Sequence, residues 1–80
     1  MQVTVIVTIK PGVIEPQGQV VIRVLPSIDL VAITDVRQGK IFHIQIDDEL
    51  LPKERRKKIH RLAKEVLTNP VYEEYKIIWR

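Results

Sequence analysis

Apolar and polar residues alternate strictly from Gln2 to Lys10, with Val3, Val5, Val7 and Ile9 on one face and Gln2, Thr4, Ile6 and Thr8 on the other. A period of two carried by β-branched side chains predicts a strand. Lys10-Pro11-Gly12 ends it, because Pro lacks the ladder donor and Gly opens a turn. Pro16 fits the first turn of a helix, where its missing N–H costs nothing. Val20, Val21, Val24 and Leu25 then share helical spacing over Gln17 to Leu25. The same stretch has strand propensity through Val-Val-Ile-Arg-Val, and Pro26 must end or kink whatever precedes it. Leu30 to Arg37 predicts a second strand, with a bulge where the alternation slips at Thr34-Asp35. Gln38-Gly39 predicts a compact turn, since Gly takes φ > 0 without steric cost. Lys40 to Asp47 alternates again, with Phe42, Ile44 and Ile46 opposed to Ile41, His43, Gln45 and Asp47, as a third strand antiparallel to the second.

Pro52 to Thr68 predicts an amphipathic helix. Ile59, Leu62, Ala63, Val66 and Leu67 fall at helical spacing on one stripe, and Lys53, Arg55, Arg56, Lys57, Lys58, Arg61 and Lys64 cover the rest. Asp47, Asp48 and Glu49 precede its positive end. Asn69-Pro70 stops it, with Asn suited to a left-handed cap. Val71 to Trp79 is a fourth strand, with Tyr75, Ile77 and Trp79 on one face. The order β-α-β-β-α-β predicts an α+β, ferredoxin-like two-layer sandwich, with a four-stranded antiparallel sheet and two helices on one face. This topology decides residues 17 to 25 in favour of helix over strand. The helix-facing side holds Val3, Val5, Val7, Ile9, Phe42, Ile44 and Ile46. Ile6, Ile41 and Ile78 lie on the opposite face and are expected to be buried by another subunit.

Length adds a reason for association. Eighty residues make a single domain, and a chain of that size buries only about 60% of the surface its unfolded form exposes. Without Cys it has neither disulfides nor thiolate metal sites, so oligomerisation or docking is the remaining support. There is no basic and apolar leader pattern, and no apolar stretch approaches membrane-spanning length. A cytoplasmic protein is expected. The net charge of +3 permits an anionic partner without requiring one.

Candidate chemistry is sparse. The glycines are too few for a phosphate-cradling loop, and the single serine, Ser27, has no evident base beside it. Asp47, Asp48 and Glu49 read as a solvated helix approach rather than a metal site. His43 and His60 fall in different elements without ligand-like spacing. The run Lys53 to Lys58 could contact phosphates, but the aromatic strand signature of RNA-binding α+β domains is absent, which makes nucleic acid unlikely. An RNA-binding or ACT-like ligand-binding regulatory module is the alternative to an association module.

Three stretches resemble one family. Lys10-Pro11-Gly12-Val13-Ile14-Glu15-Pro16-Gln17-Gly18 is similar to a K-P-G-V-L-D-P-Q-G stretch, Asp35-Val36-Arg37-Gln38-Gly39-Lys40 to a D-V-R-x-G-K hairpin, and Asn69-Pro70-Val71 with Glu73-Glu74-Tyr75 to an N-P-V-x-E-x-Y ending. The family is PurS, the small subunit of phosphoribosylformylglycinamidine synthase in purine biosynthesis. The resemblance implies a non-catalytic subunit that self-associates. It implies further that the subunit holds a PurQ-type glutaminase and a PurL-type synthetase together and assists ammonia transfer. ATP and Mg²⁺ would serve the large subunit, with no cofactor on this chain. Carried over by position, Lys10, Pro11, Gly12, Pro16, Gln17 and Gly18 form one partner-contact loop, and Asp35, Arg37, Gly39 and Lys40 another. The chain departs from the family pattern at Val24-Leu25-Pro26, where the family has an alanine-rich helix ending in a Leu-Gly-Phe-like segment. A shortened or distorted first helix is therefore expected.

Overall fold

Residues 1–79 are described by a computed structural model. Strands β1 (Gln2–Ile9), β2 (Lys40–Gln45) and β3 (Glu73–Trp79) form one antiparallel sheet in the order β2-β1-β3. The alternation in β1 sets the register. Val3 stands between Ile44 and Trp79, Val5 between Phe42 and Ile77, and Val7 between Lys40 and Tyr75. Val3, Val5 and Val7 are fully buried, and helix α2 (Pro52–Leu62) closes over them with Ile59 and, just beyond its end, Ala63. Phe42, Ile44, Ile46, Leu67, Tyr75 and Ile77 pack around this cluster. The opposite face carries Ile6 paired with Ile41, and Ile78 beside Thr4, as the alternation predicts.

Past Leu62 the helix widens into a π turn, Ala63–Leu67. A wider turn rotates the next side chains, so Leu67 takes the inward place and Val66, expected on the buried stripe, is 71% exposed. Thr68 closes the end, donating its N–H to the Ala63 carbonyl at 3.1 Å and its hydroxyl to the same oxygen at 2.8 Å. Asn69 is not the left-handed cap. Its side-chain oxygen accepts the Val71 N–H at 3.0 Å, and its carbonyl accepts the Glu73 N–H at 2.8 Å, which turns the chain into β3. The acidic approach does not cap α2 either. Leu51 is the N-cap, and the Asp48 carboxylate instead accepts from the Met1 ammonium at 2.6 Å.

The first helix is distorted at Pro26, as expected, but does not cover the sheet. Helix α1 (Pro16–Val24) continues as a 3₁₀ turn, Leu25–Ile28, because Pro26 has no N–H for an α-helical bond. Asp29, at φ 64°, takes the left-handed place, and its N–H meets the Leu25 and Pro26 carbonyls. No α1 side chain belongs to the core cluster, so one helix covers the sheet and not two. Residues 30–37, expected as a strand, pair with no strand here, and among the described residues the sheet has three strands. No turn forms at Gln38-Gly39, so the chain does not reverse there. Gly39 is small for another reason: a Cβ on it would collide with the Val7 carbonyl oxygen. Residues 16–36 therefore make an arm. The radius of gyration is 16.5 Å, against about 12 Å for a compact chain of this length. No helix among the described residues is long and apolar enough to cross a membrane.

Candidate functional site

The root of the arm gathers the two glycine-containing motifs. Pro11, Gly12, Asp35, Arg37, Gln38 and Gly39 line one open groove of about 440 Å³, with Thr8, Ile9 and Glu74 completing its wall. Gly12, at φ +86°, makes the turn after β1 that a side chain would strain. The Arg37 Nη2 donates to the Val13 carbonyl at 2.6 Å and to the Lys10 carbonyl at 3.1 Å, tying the returning segment to the outgoing one. Lys10 reaches the Pro70 carbonyl at 2.7 Å through its ammonium, which links the same root to the turn before β3.

Glu15 holds this junction together. It is the N-cap of α1, with extended backbone geometry, and Pro16 follows at the first helical position. Its carboxylate accepts the Gln17 N–H at 2.7 Å and the Gly18 N–H at 2.6 Å. It also accepts the Gln38 N–H at 2.7 Å, from the far side of the arm. Only 5% of Glu15 is exposed. The hydrogen bond from the Gln38 backbone holds its carboxyl below the usual glutamate range against the opposing effect of burial, and the Gly18 and Gln17 N–H groups and the Arg37 charge add to it. Gly18 is the counterpart: a Cβ there would collide with the Val36 carbonyl. Outgoing and returning segments thus pass in backbone contact.

Of the sequence-derived candidates, Lys10, Pro11, Gly12, Gly18, Arg37 and Gly39 meet at this root. Pro16 and Gln17 open the helix beside it. Lys40 points along the helix-facing side of the sheet and pairs with the buried Glu73 carboxylate at 3.4 Å. Arg37 and Lys40 are therefore engaged within the chain, while Asp35 lies on the groove wall. Ile6, Ile41 and Ile78 form a separate patch on the open face of the sheet, where Ile41 is 57% exposed. Glu15 was not among the candidates. Its signal is an acid directly before a proline that begins a helix, and its bond to Gln38 leaves no mark in the sequence.

The arm itself presents apolar side chains outward. Val20, Val24, Ile28, Leu30, Val31 and Ile33 are all exposed, Val31 by 71%. His60 meets the Tyr75 hydroxyl at 3.3 Å at the edge of β3. Among the described residues no group of His, Cys, Asp and Glu is placed to hold a metal.

A sequence model of the PurS family, described as phosphoribosylformylglycinamidine (FGAM) synthase, matches residues 2–80. The chain belongs to the PurS family. The PurS subunit of Mycobacterium leprae is 34% identical over 71 residues, covering 89% of this chain and 85% of that one. That of Archaeoglobus fulgidus is 29% identical over 76 residues, covering 95% and 94%. In structure, Bacillus subtilis PurS superposes with a TM-score of 0.83 at 28% identity, over 96% of this chain and 94% of that chain. A chain in the PurLQS structure from Thermotoga maritima superposes with a TM-score of 0.80 at 26% identity, over 96% and 93%. Most of the chain, arm included, therefore follows the fold of PurS structures.

Proposed function

We propose that this chain is the non-catalytic small subunit of a phosphoribosylformylglycinamidine synthase. In this role it holds a PurQ-type glutaminase and a PurL-type ATP-dependent synthetase together and assists the passage of ammonia between them. The observation that carries this reading is PurS membership over residues 2–80 combined with likeness to a chain of a PurLQS assembly. An arm of exposed valine, leucine and isoleucine suits a protein that works by associating. ATP and Mg²⁺ belong to the synthetase, and this chain acts without a cofactor of its own, in the cytoplasm.

Self-association completes the sheet in this reading. Strand β2 lies at one edge of the sheet, an unpaired row of backbone donors and acceptors. Residues 30–37 supply the fourth strand when the arm docks on a second copy, which also covers Val24, Ile28 and Val31. Ile6, Ile41 and Ile78 form a further contact on the open sheet face. The groove at the arm root, with Lys10, Pro11, Gly12, Gln17, Asp35, Arg37 and Gly39 around it, then faces the larger subunits. Size-exclusion chromatography of this chain with its glutaminase and synthetase tests the proposal. One co-eluting complex of all three is the expected result, and separate elution under all nucleotide and glutamine conditions contradicts it.

A further inference from the structure

We propose that Glu15 is the positioning residue of the arm. Its carboxylate, clamped between the start of α1 and the returning backbone at Gln38, sets the direction in which residues 16–36 leave the sheet. The consequence for pairing with a second copy rests on the association reading above; the clamp itself does not.

A helix cap needs only the bonds to the first turn, and Glu15 makes those to Gln17 and Gly18. The bond to Gln38 crosses 23 residues of sequence and closes the arm at its base. An ionised carboxylate accepts only, so it can receive three N–H donors at once. Oε1 accepts from both Gly18 and Gln38 and Oε2 from Gln17, so a glutamine amide turns its N–H groups toward one of these two sets of donors and also loses the charge that strengthens the bonds it keeps. Glu15 and Gly18 are both buried at the junction. Gly18 against the Val36 carbonyl leaves no slack for an alternative path. The charged groups facing this junction are Arg37, on the returning segment, and the Lys40–Glu73 pair, which lines the adjoining groove with Glu15 and Gln38. Proton uptake by Glu15 turns one oxygen into a donor and removes the charge that strengthens the bonds to the other, so the arm is held more firmly at neutral pH than in acid.

The chain has no native cysteine, so Arg23→Cys on the arm and Gln45→Cys on the sheet accept a nitroxide pair without background. Pulsed dipolar spectroscopy is run on labelled full-length protein diluted into unlabelled protein, so that distances are intrachain. The wild-type background is expected to give one narrow distribution at pH 7 that broadens in acid while far-UV circular dichroism shows the sheet intact. Glu15→Gln is expected to at least double the width at pH 7, to remove its pH dependence, and to weaken self-association about tenfold. Glu15→Asp keeps the charge but not the reach, and is expected to fall between. An unchanged width in folded Glu15→Gln overturns the proposal, and so does a broad wild-type distribution at pH 7. If Glu15→Gln does not fold, the wild-type acid titration decides, and a width constant through it overturns the clamp. A narrow distribution in a protein that stays monomeric upholds the clamp and refutes the association reading alone.

Discussion

Replacing Gly18 by Ala sets two effects of known sign against each other. Ala is the better helix former, by about 0.8–1 kcal/mol in a helix interior. The added methyl, however, would overlap the Val36 carbonyl oxygen and lie 2.7 Å from the Glu15 Oε1. Favourable contacts with carbon begin at about 3.5 Å. One obstacle is main chain and the other is a carboxylate held by three backbone donors, so neither moves freely. Forcing a methyl into such a site costs typically about 1–3 kcal/mol, and the lost Glu15 to Gly18 geometry adds to it. A net loss of about 1–2 kcal/mol corresponds to a Tm lower by roughly 4–15 °C in a domain this small. Far-UV circular dichroism melts at one fixed protein concentration measure it, because association raises Tm by mass action. Gln17→Ala, exposed on the same turn, is the control and should stay within about 2 °C of wild type. A Gly18→Ala variant as stable as wild type, or more so, refutes the close crossing of the arm's two segments.

Other expectations follow from the same geometry. Val5→Ala empties a fully buried position under α2, and should lower the urea unfolding free energy by about 2–3 kcal/mol. Val31→Asp places a carboxylate on the exposed apolar arm and should convert the protein to monomer in sedimentation velocity without changing its far-UV spectrum. The Glu15 carboxyl is held below the usual range in the native state. Its stabilisation is therefore complete above the ordinary glutamate pKa and is lost as pH falls through the native value. Asp48 has the same sign, through its hydrogen bond from the Met1 ammonium. Tm should fall between pH 6 and pH 3, less steeply in Glu15→Gln, and equal slopes would contradict the assignment.

What was legible in the sequence is what a segment specifies by its own pattern. The alternation of β1 placed Val3, Val5 and Val7 correctly, and the spacing of Ile59 and Ala63 gave the covering face of α2. The apolar pattern of residues 20–33 signals burial but not by what. Read as intrachain packing it yields a second covering helix and a fourth strand, whereas this chain leaves both segments unpartnered. The sequence suggests a turn at Gly39, yet this glycine allows the close approach of Val7, because a small residue marks either need equally. The two motif loops stand out in the sequence as separate candidate surfaces, but their meeting depends on Glu15 and Arg37 bonding across the arm, a tertiary fact without local signature. Lys40 lies at the surface as its charge suggests, and its pairing with the buried Glu73 is a tertiary contact that no local pattern announces.

The central claim is that this chain makes a glutaminase and a synthetase act as one enzyme. Glutamine-dependent formation of formylglycinamidine ribonucleotide, assayed with both larger subunits, ATP and Mg²⁺, tests it most directly. Adding this chain should raise the glutamine-dependent rate at least tenfold, while the rate with free ammonia and synthetase alone stays unchanged. A glutamine-dependent rate that is the same with and without this chain contradicts the claim.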